Sequence, residues 1–242
     1  MPVPECVEIN GRTVPLLVRY RKEARYMRLR LNYRNQVTIS APSHLSEDQV
    51  LSFLKSKYAW LERQMATTPE VADLSDWLRK HSFLSASGQR FHVCVRSEAC
   101  RRAQYRFEEE GPTVIFCIPK SNENPEHTLL NLVRFFSKDA LACRLNHLAR
   151  KLNLNVRRLT VRDQASRWGS CSSKRGISLN WRLVLLEPGL QDYVILHELA
   201  HLTEMNHSKR FWDLLESYDP CCWEHESELK AITGTIMRIG RS

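Results

Sequence analysis

No run of apolar residues in this chain of 242 is long enough to cross a bilayer, which argues against a helical membrane span. The first residues, MPVPECVEINGR, lack the basic and apolar regions of a secretory signal, so a cytoplasmic protein is expected. The eight cysteines form no C-x-x-C pair, so free and mainly buried thiols are expected, not a disulfide framework or a thiolate zinc site. No glycine-rich loop of the G-x-x-x-x-G-K-[ST] form is present, so any phosphate would have to be held by side chains and metal. No internal repeat or low-complexity tract is visible. Acid is also scarce: Lys and Arg number 36 against 27 Asp and Glu, a formal net charge of +9. The shortage is sharpest from Arg12 to Arg34, where eight basic residues accompany one acid, Glu23. That stripe reads either as a strand whose solvent face carries arginine, with Tyr26, Met27, Leu29 and Leu31 supplying the other face, or as a surface for nucleic acid, nucleotide phosphate or an acidic protein.

What is present describes a soluble globular chain, 43% apolar and 26% charged, able to bury one good core or two small ones. Residues 14–40 read as strands, VPLLVRYR then YMRLRLNY, arranged as a hairpin or meander and turning at Arg34-Asn35-Gln36 into VTISAP. Ser46 to Gln49 has the form of a capping box, and the spacing from Val50 to Leu61 predicts one helix to about Gln64. Thr67-Thr68-Pro69 is a candidate internal boundary, followed by a short helix around Trp77 and Leu78 and strands FHVCVR, QYRFEE and TVIFCIP. Asn124-Pro125 opens a long amphipathic helix whose buried stripe runs from Leu129 to Leu148 and includes Leu130 and Phe135. RLTVRD and ISLNWRLVLL read as strands. Ser208 and Asp219-Pro220 then introduce two closing helices, the second reaching about Met237.

The chemistry lies in residues 197–207, HELAHLTEMNH. A helix advances 3.6 residues per turn, so His197 and His201 project from one face, where two imidazoles can grip one divalent metal. Glu198 lies beside the first, where it can polarise a water at that metal. His207 completes a three-nitrogen site if the helix ends soon after His201 and the chain turns back, leaving a fourth position open as catalytic zinc requires. Pro188 suits the first turn of this helix, and Tyr193, Val194, Leu196, Ala200 and Leu202 can bury it. Other arrangements use the same residues differently. A third ligand from Glu224, Glu226 or Glu228 would replace His207, and Cys171 could close the site as a fourth ligand. Tyr193, one turn before His197, leans toward the metal or packs in the core.

Three segments together, RWGSCSSKRGISLNWRL (167–183), YVILHELAHL (193–202) and NHSKRFW (206–212), resemble the YgjP-like family, a zincin-type group related to the SprT-like and Wss-type zinc proteases. The resemblance is strong from about 124 to 223. It is weaker over 17–64, where Trp60 matches a helix tryptophan, and poor over 66–120 apart from the motif around Gly88. The order of elements reads as an α+β plan. The resemblance makes that plan a zincin-like hydrolase domain over 121–242, with a long helix, small sheet, metal helix and closing helices, beside a basic mixed β/α region over 1–120. It also implies that His197, His201 and His207 hold one zinc, that Glu198 is the catalytic acid/base, and that the 167–171 segment lies near the metal. Arg167, Trp168, Ser170 and Tyr193 are then candidate substrate contacts. Metzincins share the five-residue spacing before the third histidine but have a turn glycine where this chain has Glu204, so that turn must form without the residue that most easily takes positive φ. The resulting expectation is a zinc-dependent peptidase. Hydrolysis of a nucleoside triphosphate, UTP to UMP and pyrophosphate, is the alternative that the family also implies, and a basic nucleic-acid-binding protein with a non-catalytic zinc is a reading of another class.

Overall fold

The computed structural model describes residues 3–68 and 72–241. It is an α+β fold whose contacts divide the chain into two compact units, Met1–Ala72 with the last two residues, and Asp73–Gly240. The division therefore lies between 72 and 73, not at 120/121. Residues 73–120 belong with the second unit because their strands and helix pack on the long helix that follows. Thr67 and Thr68 end the last helix of the first unit, while Pro69 of the same motif lies outside the described residues.

In the first unit, β1 (Cys6–Ile9), β2 (Arg12–Arg21), β3 (Arg28–Leu31) and β4 (Val37–Pro42) form a sheet of order β1-β2-β4-β3. The expected meander is corrected: β2 does not pair with β3 but runs parallel to β4, and of these three strands only β3 and β4 form a hairpin. The burial pattern explains the placement. Val37, Ile39 and Ala41 of β4 are fully buried and suit a central strand, whereas four-residue β3 alternates arginine with leucine and suits an edge. One face of this sheet packs on α1 (Glu47–Ser56) and α2 (Tyr58–Thr67) through Val50, Leu54, Leu61 and Met65. The expected single helix is thus two. Ser46 makes the capping box with Gln49, but the helix closes at Lys57, where Ser56 donates back to the Phe53 carbonyl at 2.7 Å and α2 starts afresh.

The second unit opens with α3 (Leu74–His81) and strands β5 (Phe83–Ala86), β6 (Gln89–Glu98), β7 (Gln104–Phe107) and β8 (Thr113–Pro119). Their order, β5-β6-β8-β7, and their pairing directions repeat those of the first sheet. Both opening hairpins turn on two positive-φ residues, Asn10-Gly11 and Ser87-Gly88. The chain therefore contains a structural repeat that its sequence does not reveal, because pairing direction is set by backbone hydrogen bonds and leaves little trace in side-chain identity.

α4 (Pro125–Lys151) is capped by Asn124, which accepts from the His127 amide. Leu129, Leu132, Val133, Phe136, Leu141, Leu145 and Leu148 are buried as expected, but Leu130 is only half-buried and Phe135 is exposed. A third sheet of order β10-β11-β9 follows, from β9 (Arg158–Arg162), β10 (Gly169–Cys171) and β11 (Gly176–Asn180). The expected long strand after Ile177 stops at Asn180. There the side chain accepts from Arg182 N and donates to the Gln164 and Arg167 carbonyls, turning Trp181–Leu185 into a 3-10 helix. α5 (Pro188–Ala200), α6 (Lys209–Tyr218) and α7 (Cys222–Ile236) complete the unit. Ser208 occupies the position before α6 but makes no side-chain cap. No helix among the described residues is long and apolar enough to cross a membrane. All eight cysteines are free, yet only Cys117 and Cys222 are buried, so the expectation of mainly buried thiols is corrected. Cys143, for example, points outward from α4.

Candidate metal centre

α5 is apolar almost all round and is held on every side, which gives the histidines a rigid mount. Gln191 donates to the Ser85 and Leu183 carbonyls at 3.0 and 3.1 Å. Asp192 accepts a two-pronged contact from Arg144 of α4. That guanidinium lies against Gly88, where a Cβ would stand 2.7 Å from it, so the Ser87-Gly88 turn, α4 and α5 meet at one point.

The helix ends where the ligand pattern needs it to. His201 is its C-terminal cap, and the Ala200 carbonyl receives both the Thr203 and Glu204 amides, at 3.0 and 2.9 Å. The chain reverses here with no positive-φ residue between 202 and 206, which is how Glu204 replaces a turn glycine. The reversal brings His207 back, and the ring atoms of His197, His201 and His207 lie within 4.8 Å of one another. His207 Nε2 is 3.1 Å from His197 Nε2. Two nitrogens at about 2.0–2.1 Å from one tetrahedral ion would stand about 3.3 Å apart, so this pair has the spacing of two ligands of one such ion. His201 donates from Nδ1 to the Glu204 carbonyl at 3.0 Å, which leaves its Nε2 lone pair for a metal. Buried Phe211 of α6 touches all three rings, stacking on His201 with centroids 4.5 Å apart. Burial and the neighbouring His201 and His207 hold His197 down at about 4, so it is neutral at physiological pH and can donate a lone pair.

Glu198 is 5% exposed and its Oε2 has no partner. Burial pushes its carboxyl up to about 8 against the opposing pull of Arg167, so an uncompensated acid sits beside the histidines. An unpaired buried carboxyl is costly to keep and calls for a functional account. Residues 25–232 match the YgjP-like family, metallopeptidase domain. The chain belongs to that family. No match was found among curated proteins. Among solved structures, the metallopeptidase zymogen of Pyrococcus abyssi abylysin is 26% identical, with 39% of this chain and 94% of that chain covered. The TM-score of that match is 0.35.

Within this YgjP-like domain the candidate substrate residues separate. Arg167 is exposed, and its charge acts on Glu198. Ser170 lies on β10 in a cavity of about 270 Å³ shared with Arg158 and Arg162. Trp168 is committed elsewhere, its indole N–H donating to Thr233 of α7 at 2.9 Å, and so staples the strand to the core. Tyr193 is buried and donates to Glu226 at 2.7 Å. Glu226 also receives Lys230, so it holds Tyr193 instead of joining the histidines. The three-residue group that can hold a metal comprises histidines only, without Glu224, Glu228 or Cys171.

Gly169 was not singled out by its sequence. A Cβ there would lie 2.5 Å from Glu198 Oε1 and 2.6 Å from Cγ, so β10 approaches the carboxylate as closely as a hydrogen allows. Gly169→Ala should therefore fold and keep its metal, with the Glu198 side chain displaced from Cγ outward to clear the added methyl. Turnover should fall about 100-fold, the cost of an ångström-scale misplacement. Metal content and kcat measured on the same preparation check this, and unchanged kcat would show that Glu198 needs no fixed position.

Proposed function

We propose that this YgjP-like chain is a zinc peptidase in which His197, His201 and His207 hold one ion and Glu198 is the acid/base. The observation that carries the reading is the convergence of three imidazoles beside a buried, unpaired carboxyl. Bound there, zinc supplies a Lewis acid that polarises a scissile carbonyl and acidifies water. Glu198 Oε2 has the free lone pairs to accept the proton of the attacking water and then to pass it to the leaving amine. Phe211 and the Glu204 carbonyl keep the imidazoles oriented, and Gly169, with no Cβ, lets β10 lie directly against the carboxylate and hold it in place. Arg167 and Ser170 are the side chains best placed to meet an extended polypeptide. A link with SprT-like proteases and a cytoplasmic site of action belong to the same proposal.

Zinc-loaded protein should cleave an unfolded polypeptide and carry one zinc per chain. His201→Ala and His207→Ala should each bind zinc at least 100-fold more weakly, measured by competition with a chromogenic chelator. Hydrolysis of UTP without polypeptide cleavage would move the activity to phosphoanhydrides. Undiminished zinc affinity in both variants would remove the three-histidine site.

A further inference from the structure

We propose that the first unit carries a binding surface for single-stranded nucleic acid on the sheet face that α1 and α2 leave bare. Register puts the residues of that face in rows. Arg19 of β2, Ser40 of β4 and Arg28 of β3 stand side by side, and Thr38 and Arg30 form the next row with Leu17. Strands are about 4.8 Å apart, so arginines on β2 and β3 face each other about 10 Å apart across a floor of two hydroxyls. Arg21 and Arg25 extend the walls, and a cavity of about 580 Å³ lies between them, with Glu23 the one acid in its lining. A concave, hydroxyl-floored, cationic trough suits a flexible phosphodiester chain, whose oxygens accept from guanidinium and hydroxyl alike.

The second sheet supplies an internal control. It has the same topology, and register makes Arg96 the counterpart of Arg19 and Arg106 that of Arg30. There each arginine meets a glutamate, Arg96 with Glu108 at 3.6 Å and Arg106 with Glu98 at 3.5 Å. In the first sheet Arg19, Arg21, Arg25, Arg28 and Arg30 have no such partner among the described residues. The repeat neutralises its copy of the face and leaves this one charged.

Aromatic rings decide for a single strand over a duplex. Tyr26 lines the trough and is 75% exposed. Past the β3 edge a second cavity of about 440 Å³ shares Arg28 and Arg30 and adds Phe53, Lys57 and half-exposed Trp60. Cations interleaved with open rings serve unstacked bases, whose faces a duplex conceals. A bilayer offers phosphate too, but a flat surface does not enter a trough.

The test is fluorescence anisotropy of the full-length protein with a labelled 20-nucleotide oligothymidylate. Binding should weaken with salt at a log–log slope of about −2 to −3.5, the release expected for three to five phosphate contacts on a single strand. R19Q/R28Q/R30Q together should shrink that slope by about 2. Tyr26→Ala and Trp60→Ala should each weaken binding roughly five- to hundredfold, whereas R96Q/R106Q should leave it unchanged. Equal or tighter binding of a duplex of that length, preference for phosphatidylserine vesicles, or a salt-independent affinity would overturn the proposal. The duplex and vesicle comparisons use the unaltered chain, so they hold even if a variant fails to fold.

Discussion

Glu198→Gln should keep its fold and its zinc while turnover drops about 10²–10⁴-fold, the usual contribution of a positioned acid/base. The amide has the volume of the carboxyl and fills the same slot against Gly169, but it cannot take a proton from water. The variant should also separate chemistry from stability. In metal-free protein the buried carboxyl holds its proton up to about 8, against an ordinary value of 4.5. Between those pH values the folded chain binds more protons than the unfolded one, so wild-type stability falls as pH rises through the window. The neutral amide carries no such loss. Thermal unfolding of metal-free wild type and Glu198→Gln at pH 5 and 8.5 should therefore show the variant gaining relative stability at the higher pH. Near-normal turnover in the zinc-loaded variant would remove Glu198 from the mechanism.

Asp163→Ala should destabilise the second unit by about 3–5 kcal/mol, the cost of leaving a buried charge without its partner. Arg182 is fully buried, lies on the Trp181 ring, and donates to Asp163 Oδ1 at 2.5 Å and to the Ile239 carbonyl at 2.9 Å. Asp163 also receives Arg134 at 2.7 Å, but Arg134 is partly exposed, so Arg134→Ala should cost no more than about 1 kcal/mol. Urea unfolding of the two variants distinguishes the pairs. A loss under 1 kcal/mol in Asp163→Ala would mean that Arg182 finds solvent or another acceptor.

The readable part of this protein was the part written in local spacing. Two histidines four apart on a helix share a face whatever surrounds them, and a capping box or an Asn-Pro helix start acts within a few residues. Hence α4, α5 and the Ser46 cap were legible, and with them three of the residues that meet at the candidate site. The resemblance added the expectation that the 167–171 segment lies near the metal. Register and close approach were not legible. That β2 joins β4 instead of β3, that the second sheet repeats the first, and that the domain break falls after Ala72 all depend on pairings between distant segments. Gly169 is unremarked in sequence because its role is an absent side chain, defined only by where Glu198 comes to rest. Trp168 and Tyr193 looked available until Thr233 and Glu226, 65 and 33 residues away, took their polar atoms. The stripe of arginines was plain from composition, but which of them stay unpaired was a tertiary matter, since a guanidinium is neutralised by whichever carboxylate the neighbouring strand presents. By itself the sequence determined the identity and spacing of the groups proposed to grip a metal, because 3.6 residues per turn is a property of the helix alone. Only the tertiary structure decided how tightly their surroundings hold them, because burial and partners are set by chain segments that sequence order keeps apart.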